Sequence, residues 1–115
     1  AAIISGGTDL CVVMNKRGYE PSSVLVLSCI DGLSEISATN GIVNVGARVS
    51  LSRLESFFAE KVPEFHHILW LFGSPQIRNA GTLAGNIANA SPIADSPPFL
   101  MVMDAVIEVC SEKGS

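Results

Sequence analysis

Apolar positions along this chain change period several times, and each change marks an element. Val24 to Ser28 (Val-Leu-Val-Leu-Ser) is an unbroken apolar run after Pro21, the pattern of a strand buried on both faces. Ile36 to Ala38 and Ile42 to Val45 flank Thr39-Asn40-Gly41, and Asn-Gly predicts a tight hairpin because both central residues need positive φ. Ala1 to Ser5 reads as a strand running directly into Gly6-Gly7, and Ala105 to Cys110 as another, followed by a turn over Ser111 to Ser115. A strand without a preceding element and a turn without a second strand imply a piece of a longer polypeptide, cut at both ends.

Helical spacing appears between these strands. Thr8 or Asp9 is placed to cap a helix over Leu10 to Arg17, with Lys16 and Arg17 in its last turn and Gly18 behind it. Ser50 or Ser52 opens a second helix, Leu51 to Glu60, and Ser52-x-x-Glu55 has the spacing of a capping box. Pro63 starts a third, ending near Phe72 before Gly73, and Pro97-Pro98 a short last one over Phe99 to Asp104. Met14, Trp70, Met101 and Met103 read as core. The pattern is mixed α and β, with no internal repeat.

Composition narrows the class. The 115 residues are 48% hydrophobic and 16% charged, where an ordinary globular domain carries roughly 25% charge. That is the opposite of a disordered chain. The longest uncharged run, Asn79 to Ala94, is broken by amides, hydroxyls and a proline, whereas a membrane span needs about 20 mostly apolar residues. Seven scattered basic residues against eleven acidic ones, net -4, argue against a nucleic-acid partner. Three widely spaced cysteines, Cys11, Cys29 and Cys110, predict buried reduced thiols in a cytoplasmic protein rather than disulfides. His66 and His67 are adjacent, so they cannot face one metal together on a helix.

Two glycine loops hold the candidate chemistry. Ser5-Gly6-Gly7-Thr8-Asp9-Leu10 leads from a strand into a helix start. It reads either as a tight β-to-α turn capped by Thr8, or as a phosphate site in which glycines admit the ligand to main-chain N–H groups. The second, Gly81 to Asp95, packs Thr82, Asn86, Asn89 and Ser91 among small residues, and Asp95 is the one ionisable side chain from Asn79 to Met103. It reads either as an interior turn or as backbone brought close to a ligand. Neither loop has the Gly-Lys-Ser/Thr or G-x-G-x-x-G spacing. Two lysine-free glycine loops point instead to a pyrophosphate held by N–H groups, as in a dinucleotide. Arg78 reads as a helix cap or an ion-pair partner ahead of a phosphate contact.

Gly6-Gly7-Thr8-Asp9-Leu10, Ser74 to Ala88 (Ser-Pro-Gln-Ile-Arg-Asn-Ala-Gly-Thr-Leu-Ala-Gly-Asn-Ile-Ala) and Ser91 to Pro98 closely resemble the FAD-binding domain of the molybdenum hydroxylases. That family includes xanthine dehydrogenase, aldehyde oxidase and the medium subunit of carbon monoxide dehydrogenase. Ser91 to Ser96 (Ser-Pro-Ile-Ala-Asp-Ser) looks most like the bacterial xanthine dehydrogenase form, and Gly46-Ala47 before a helix also fits. The resemblance implies an α+β, two-subdomain FAD-binding fold of the PCMH type. A small parallel β/α subdomain would cover about residues 1–60, and the start of an antiparallel-sheet subdomain about 61–115.

The resemblance also assigns a site. Ser5, Gly6, Gly7, Thr8, Asp9 and Leu10 stand where the family holds the pyrophosphate, and Thr82, Gly85, Asn86 and Asn89 at its second cofactor loop. Ala94 and Asp95 stand where the adenosine ribose is met, and Phe72 at an aromatic position near the flavin ring. Ala84 replaces a frequent glycine. The implied activity is electron relay from [2Fe–2S] clusters through FAD to NAD or oxygen, with molybdopterin and iron–sulfur centres on other domains or subunits. No residue of this segment is expected to act as acid, base or nucleophile, and FAD is its one expected ligand. The competing reading is a non-catalytic fragment that folds or self-associates without flavin.

Overall fold

The computed structural model describes residues 1–114. Its elements in chain order are β1 (Ala2–Ile4), α1 (Leu10–Arg17), β2 (Val24–Val26), β3 (Ile36–Thr39), β4 (Ile42–Val45), α2 (Leu51–Phe58), α3 (Pro63–Leu71), α4 (Pro75–Ala80), α5 (Leu83–Asn89) and α6 (Ser96–Val102). The fold is α+β, as expected. β1 and β2 pair in parallel, Ala2 opposite Val24 and Ile4 opposite Val26. β3 and β4 form the antiparallel hairpin, with Ile36 opposite Val45. Asn40 and Gly41 turn it at φ +52° and +77°, the positive pair that the Asn-Gly signal demands.

The core is helical and sits between α2 and α3. Leu51, Leu54 and Phe58 of α2 meet Phe65 and Leu69 of α3, with Val49 and Leu83 closing the cluster. Phe65 stacks on Phe99 of α6 at 4.2 Å between ring centres, and Phe58 meets Phe65 edge-on at 5.2 Å. Ile36, Val43 and Val45 of the hairpin pack on the same cluster. α2 thus carries apolar residues at helical spacing toward one side only, which is why it is legible as amphipathic.

Several sequence expectations are corrected. Only Val24–Val26 is strand, and Leu27–Cys29 turns as one 3₁₀ segment. β2 is exposed rather than buried, as one of only two strands in its sheet among the described residues, while Ala2 and Ile4 of β1 are half-buried. Residues 105–110 form no strand, since among the described residues no partner strand supplies their ladder bonds; Ser111 and Gly114 do close a turn, and Ser115 lies outside the described residues. All three cysteines are exposed, not buried. Trp70, Met101 and Met103 are 55%, 78% and 54% exposed, because Phe65 and Leu69 hold the buried face of α3, and Phe99 faces the core from α6.

Helix limits also shift. α2 ends at Phe58 rather than Glu60, and α6 spans Ser96–Val102 rather than Phe99 to Asp104. Ser50, not Ser52, caps α2, its hydroxyl accepting from Arg53 N at 3.2 Å. Ser52 instead donates to Asn79 Oδ1 at 2.6 Å, and Glu55 turns to Arg78, so the capping box does not form. No helix is long and apolar enough to cross a membrane among the described residues.

Candidate functional site

The first glycine loop leaves β1 and enters α1, and its conformation is set by two glycines for different reasons. Gly7 has φ +75°, a region that side chains disfavour. Gly6 has no such torsion, but a Cβ there would lie 1.8 Å from Ala80 O, a contact no side chain can make. This close approach seats the first loop against the end of α4. Gly81 continues it: a Cβ on Gly81 would meet Ile77 O at 2.9 Å and Thr8 Oγ1 at 3.5 Å. Ser5 Oγ donates to Ala47 O at 3.3 Å, tying the loop to the segment before α2.

The second loop is not a loop throughout. Leu83–Asn89 is the helix α5, capped by Thr82, whose hydroxyl accepts from Gly85 N at 3.1 Å. α4 precedes it, capped by Ser74 accepting from Ile77 N. Gly81 turns between them, with its carbonyl accepting from Leu51 N at 2.9 Å. Ala84 lies inside α5 and does not have positive φ, so replacing the family's frequent glycine costs nothing there.

These pieces enclose an open cleft of about 500 Å³. Ser5, Gly6, Gly7, Thr8, Asp9, Leu10, Phe72, Thr82, Gly85, Asn86 and Asn89 all line it. Ala94 and Asp95 do not: Ala94 is half-buried in the connection before α6, and Asp95 is exposed at the start of that helix. The Asp95 carboxylate makes no hydrogen bond or ion pair among the described residues. Leu27, Ala47, Ile77, Gly81 and Ala84 also line the cleft. The sequence assigns none of these a contact, although Gly46-Ala47 and the small-residue stretch are visible signals.

Besides hydroxyls and side-chain amides, the residues lining the cleft carry main-chain donors. The capping bond expected from Thr8 or Asp9 is absent: Asp9 occupies the N-cap position without a side-chain bond. Among the described residues, the N–H groups of Gly6, Gly7, Thr8, Asp9 and Leu10 meet no acceptor in the protein. No Lys or Arg lines the cleft, and Asp9, exposed, is its one ionisable side chain. Five consecutive free donors at a helix start favour an anion. Asn86 accepts from the Ser96 hydroxyl through Oδ1, which leaves its Nδ2 as a donor on the cleft wall. A diphosphate-bearing cofactor therefore fits the residues present: the donors are there, and a Cβ at Gly6 would collapse the cradle.

Arg78 lies behind the wall rather than on it. Its Nη1 donates to Phe72 O and to Gly73 O, each at 3.2 Å, and its Nε is 3.2 Å from Glu55 Oε2. The Nε–H is out of line for a directed bond, so that contact is chiefly Coulombic. Arg78 is thus both helix cap and ion-pair partner. His66 Nδ1 approaches Glu55 O at 3.0 Å, and among the described residues no cluster of His, Cys, Asp or Glu is arranged for a metal.

Comparison with known proteins shows the family. Residues 1–115 match the family described as the FAD binding domain in molybdopterin dehydrogenase. The nicotinate dehydrogenase FAD-subunit of Eubacterium barkeri is 31% identical over 116 residues, covering 99% of this chain and 39% of that protein. The xanthine dehydrogenase/oxidase of Gallus gallus is 28% identical over 126 residues, covering 99% of this chain and 9% of that one. Among solved structures, a Cu,Mo-CO dehydrogenase in its cyanide-inactivated form superposes with a TM-score of 0.90 at 31% identity, covering 97% of this chain and 40% of its own. The chain therefore spans about two fifths of the bacterial FAD-subunit. It belongs to the family of FAD-binding domains of the molybdenum hydroxylases, whose cofactor in this domain is FAD.

Proposed function

We propose that this segment holds FAD across the cleft between the first glycine loop and α5, as the flavin-binding part of a molybdenum-hydroxylase-type oxidoreductase. The observation that carries the reading is the run of five free N–H groups, Gly6 to Leu10, on a cleft without a single basic side chain. A pyrophosphate there is bound by oriented backbone dipoles and the α1 N-terminus. Thr82 and Gly85 shape the opposite wall, Asn86 and Asn89 add amides, and Phe72 supplies an apolar surface for the flavin ring. Asp95, with no partner among the described residues, is free to accept from two ribose hydroxyls. When bound, FAD supplies the passage from one-electron to two-electron transfer, and the protein's share is to bind, orient and tune it.

In this reading electrons arrive from [2Fe–2S] clusters and leave to NAD or oxygen, with molybdopterin and iron–sulfur centres on other domains or subunits of the same enzyme. The designation of the Eubacterium barkeri relative as an FAD-subunit supports that division of labour. The finer assignment, a xanthine dehydrogenase, is supported by the string Ser91 to Ser96. It is tested by assaying xanthine and nicotinate with the intact enzyme, and turnover of nicotinate alone would overturn it. For the site, Asp95→Ala in the intact protein is expected to weaken FAD binding roughly tenfold, the loss of charge-assisted hydrogen bonds. Unchanged affinity would remove Asp95 from the site.

A further inference from the structure

Phe72 stands on the cleft wall at the C-cap of α3, and its backbone is held from behind. The two carbonyls that leave α3, Phe72 O and Gly73 O, accept from one nitrogen of Arg78. The same guanidinium faces Glu55 on α2, and the two side chains are only 11% and 19% exposed. Gly73 takes φ +55°, and a Cβ there would lie 3.1 Å from Ile77 Cγ2, so the turn behind Phe72 is tightly packed. A cation at the end of α3 complements the negative end of the helix dipole. A buried guanidinium is tolerated only where a carboxylate and acceptors answer it, and Glu55 with the two carbonyls provides this. Arg78 itself does not line the cleft.

We propose that Arg78, held by Glu55, is a positioning residue that fixes the Phe72 ring on the cleft wall for the flavin ring. The proposal rests on the FAD reading above. It accounts for an arginine rather than a lysine at this position. The guanidinium meets both carbonyls through Nη1 while its Nε lies beside Glu55, two separated points of attachment, whereas an ammonium is a compact point charge with only one. Arg78→Lys therefore separates positioning from charge balance.

The test uses the intact protein with a fluorine-labelled phenylalanine at position 72. Fluorine NMR of the apo form reads the ring's setting directly, and visible circular dichroism of the bound flavin reads the packing around the isoalloxazine. In Arg78→Lys the label resonance is expected to split or broaden. The flavin dichroism should move toward that of Phe72→Leu, while FAD remains bound at full stoichiometry. The milder Glu55→Gln should shift both in the same direction. An unchanged resonance and unchanged dichroism in both variants would overturn the proposal while leaving FAD binding in place. A Phe72→Leu protein with FAD bound and wild-type dichroism would overturn it at the site reading itself, since Phe72 would not meet the ring.

Discussion

Gly6 and Gly7 are neighbours, yet each is a glycine for its own reason, and substitution separates the two. At Gly6 the constraint is space: a methyl group would lie 1.8 Å from Ala80 O, so Gly6→Ala must push the first loop away from α4. Overpacking of this kind typically costs 1–3 kcal/mol, roughly, and here it also opens the cleft. The expected outcome is a lower melting temperature of the apo-protein together with lost FAD affinity. At Gly7 the constraint is torsional, φ +75° with 3.2 Å to Cys11 Sγ, and Gly7→Ala should cost about 1–2 kcal/mol. Ala84 gives the opposite result. Because it sits in α5, Ala84→Gly should lower stability by up to about 1 kcal/mol and leave FAD affinity unchanged. A gain in affinity would show that the position needs a glycine's freedom after all.

Short capped helices build the second half of the site, and their caps are where the elements are joined. Ser50 caps α2 while pairing across to Thr82, which caps α5. Ser50→Ala is expected to cost about 1 kcal/mol, read by denaturant unfolding, and to loosen the α2–α5 junction. The same caps explain what the sequence concealed. α2 and α3 were legible because Leu51, Leu54, Phe58, Phe65 and Leu69 repeat at helical spacing. α4 and α5 were not, because Ala, Gly and Asn give no apolar stripe, and only Ser74-Pro75 and Thr82 announced them. The expected long loop therefore contains a helix. The apolar run Val24 to Ser28 yields a strand over Val24–Val26, where β1 supplies a partner, whereas Ala105 to Cys110 has no partner strand among the described residues and stays irregular. The glycine loops were legible through their composition. The missing cap at Asp9, which leaves the donors free, was not, since a cap-capable residue need not make its bond.

At the scale of the molecule, one helical core serves both halves of the cleft. The first loop rests on α4 through Gly6, α4 on α2 through Ser52 and Asn79, and α2 on α3 through the Leu54–Phe65 cluster. Truncating that cluster should therefore disturb the cleft from a distance. Phe65→Ala, which removes the ring stacked on Phe99, is expected to cost about 3–5 kcal/mol and to weaken FAD binding in proportion to unfolding. Apolar surface remains outside the core, Val106 and Val109 being 92% and 75% exposed. The chain spans about two fifths of the length of its FAD-subunit relative, so binding is properly read in the intact protein. The most direct test of the central claim is the melting temperature of the intact apo-protein with and without FAD, for the natural chain and for Gly7→Val. A ligand that binds only the folded state stabilises it, by about 2.7 kcal/mol at a hundredfold excess over its dissociation constant. A clear upward shift with FAD is expected, larger than with ADP or FMN and lost in Gly7→Val. A folded natural protein whose melting temperature FAD does not move, or a Gly7→Val variant that responds as the natural chain does, would contradict it.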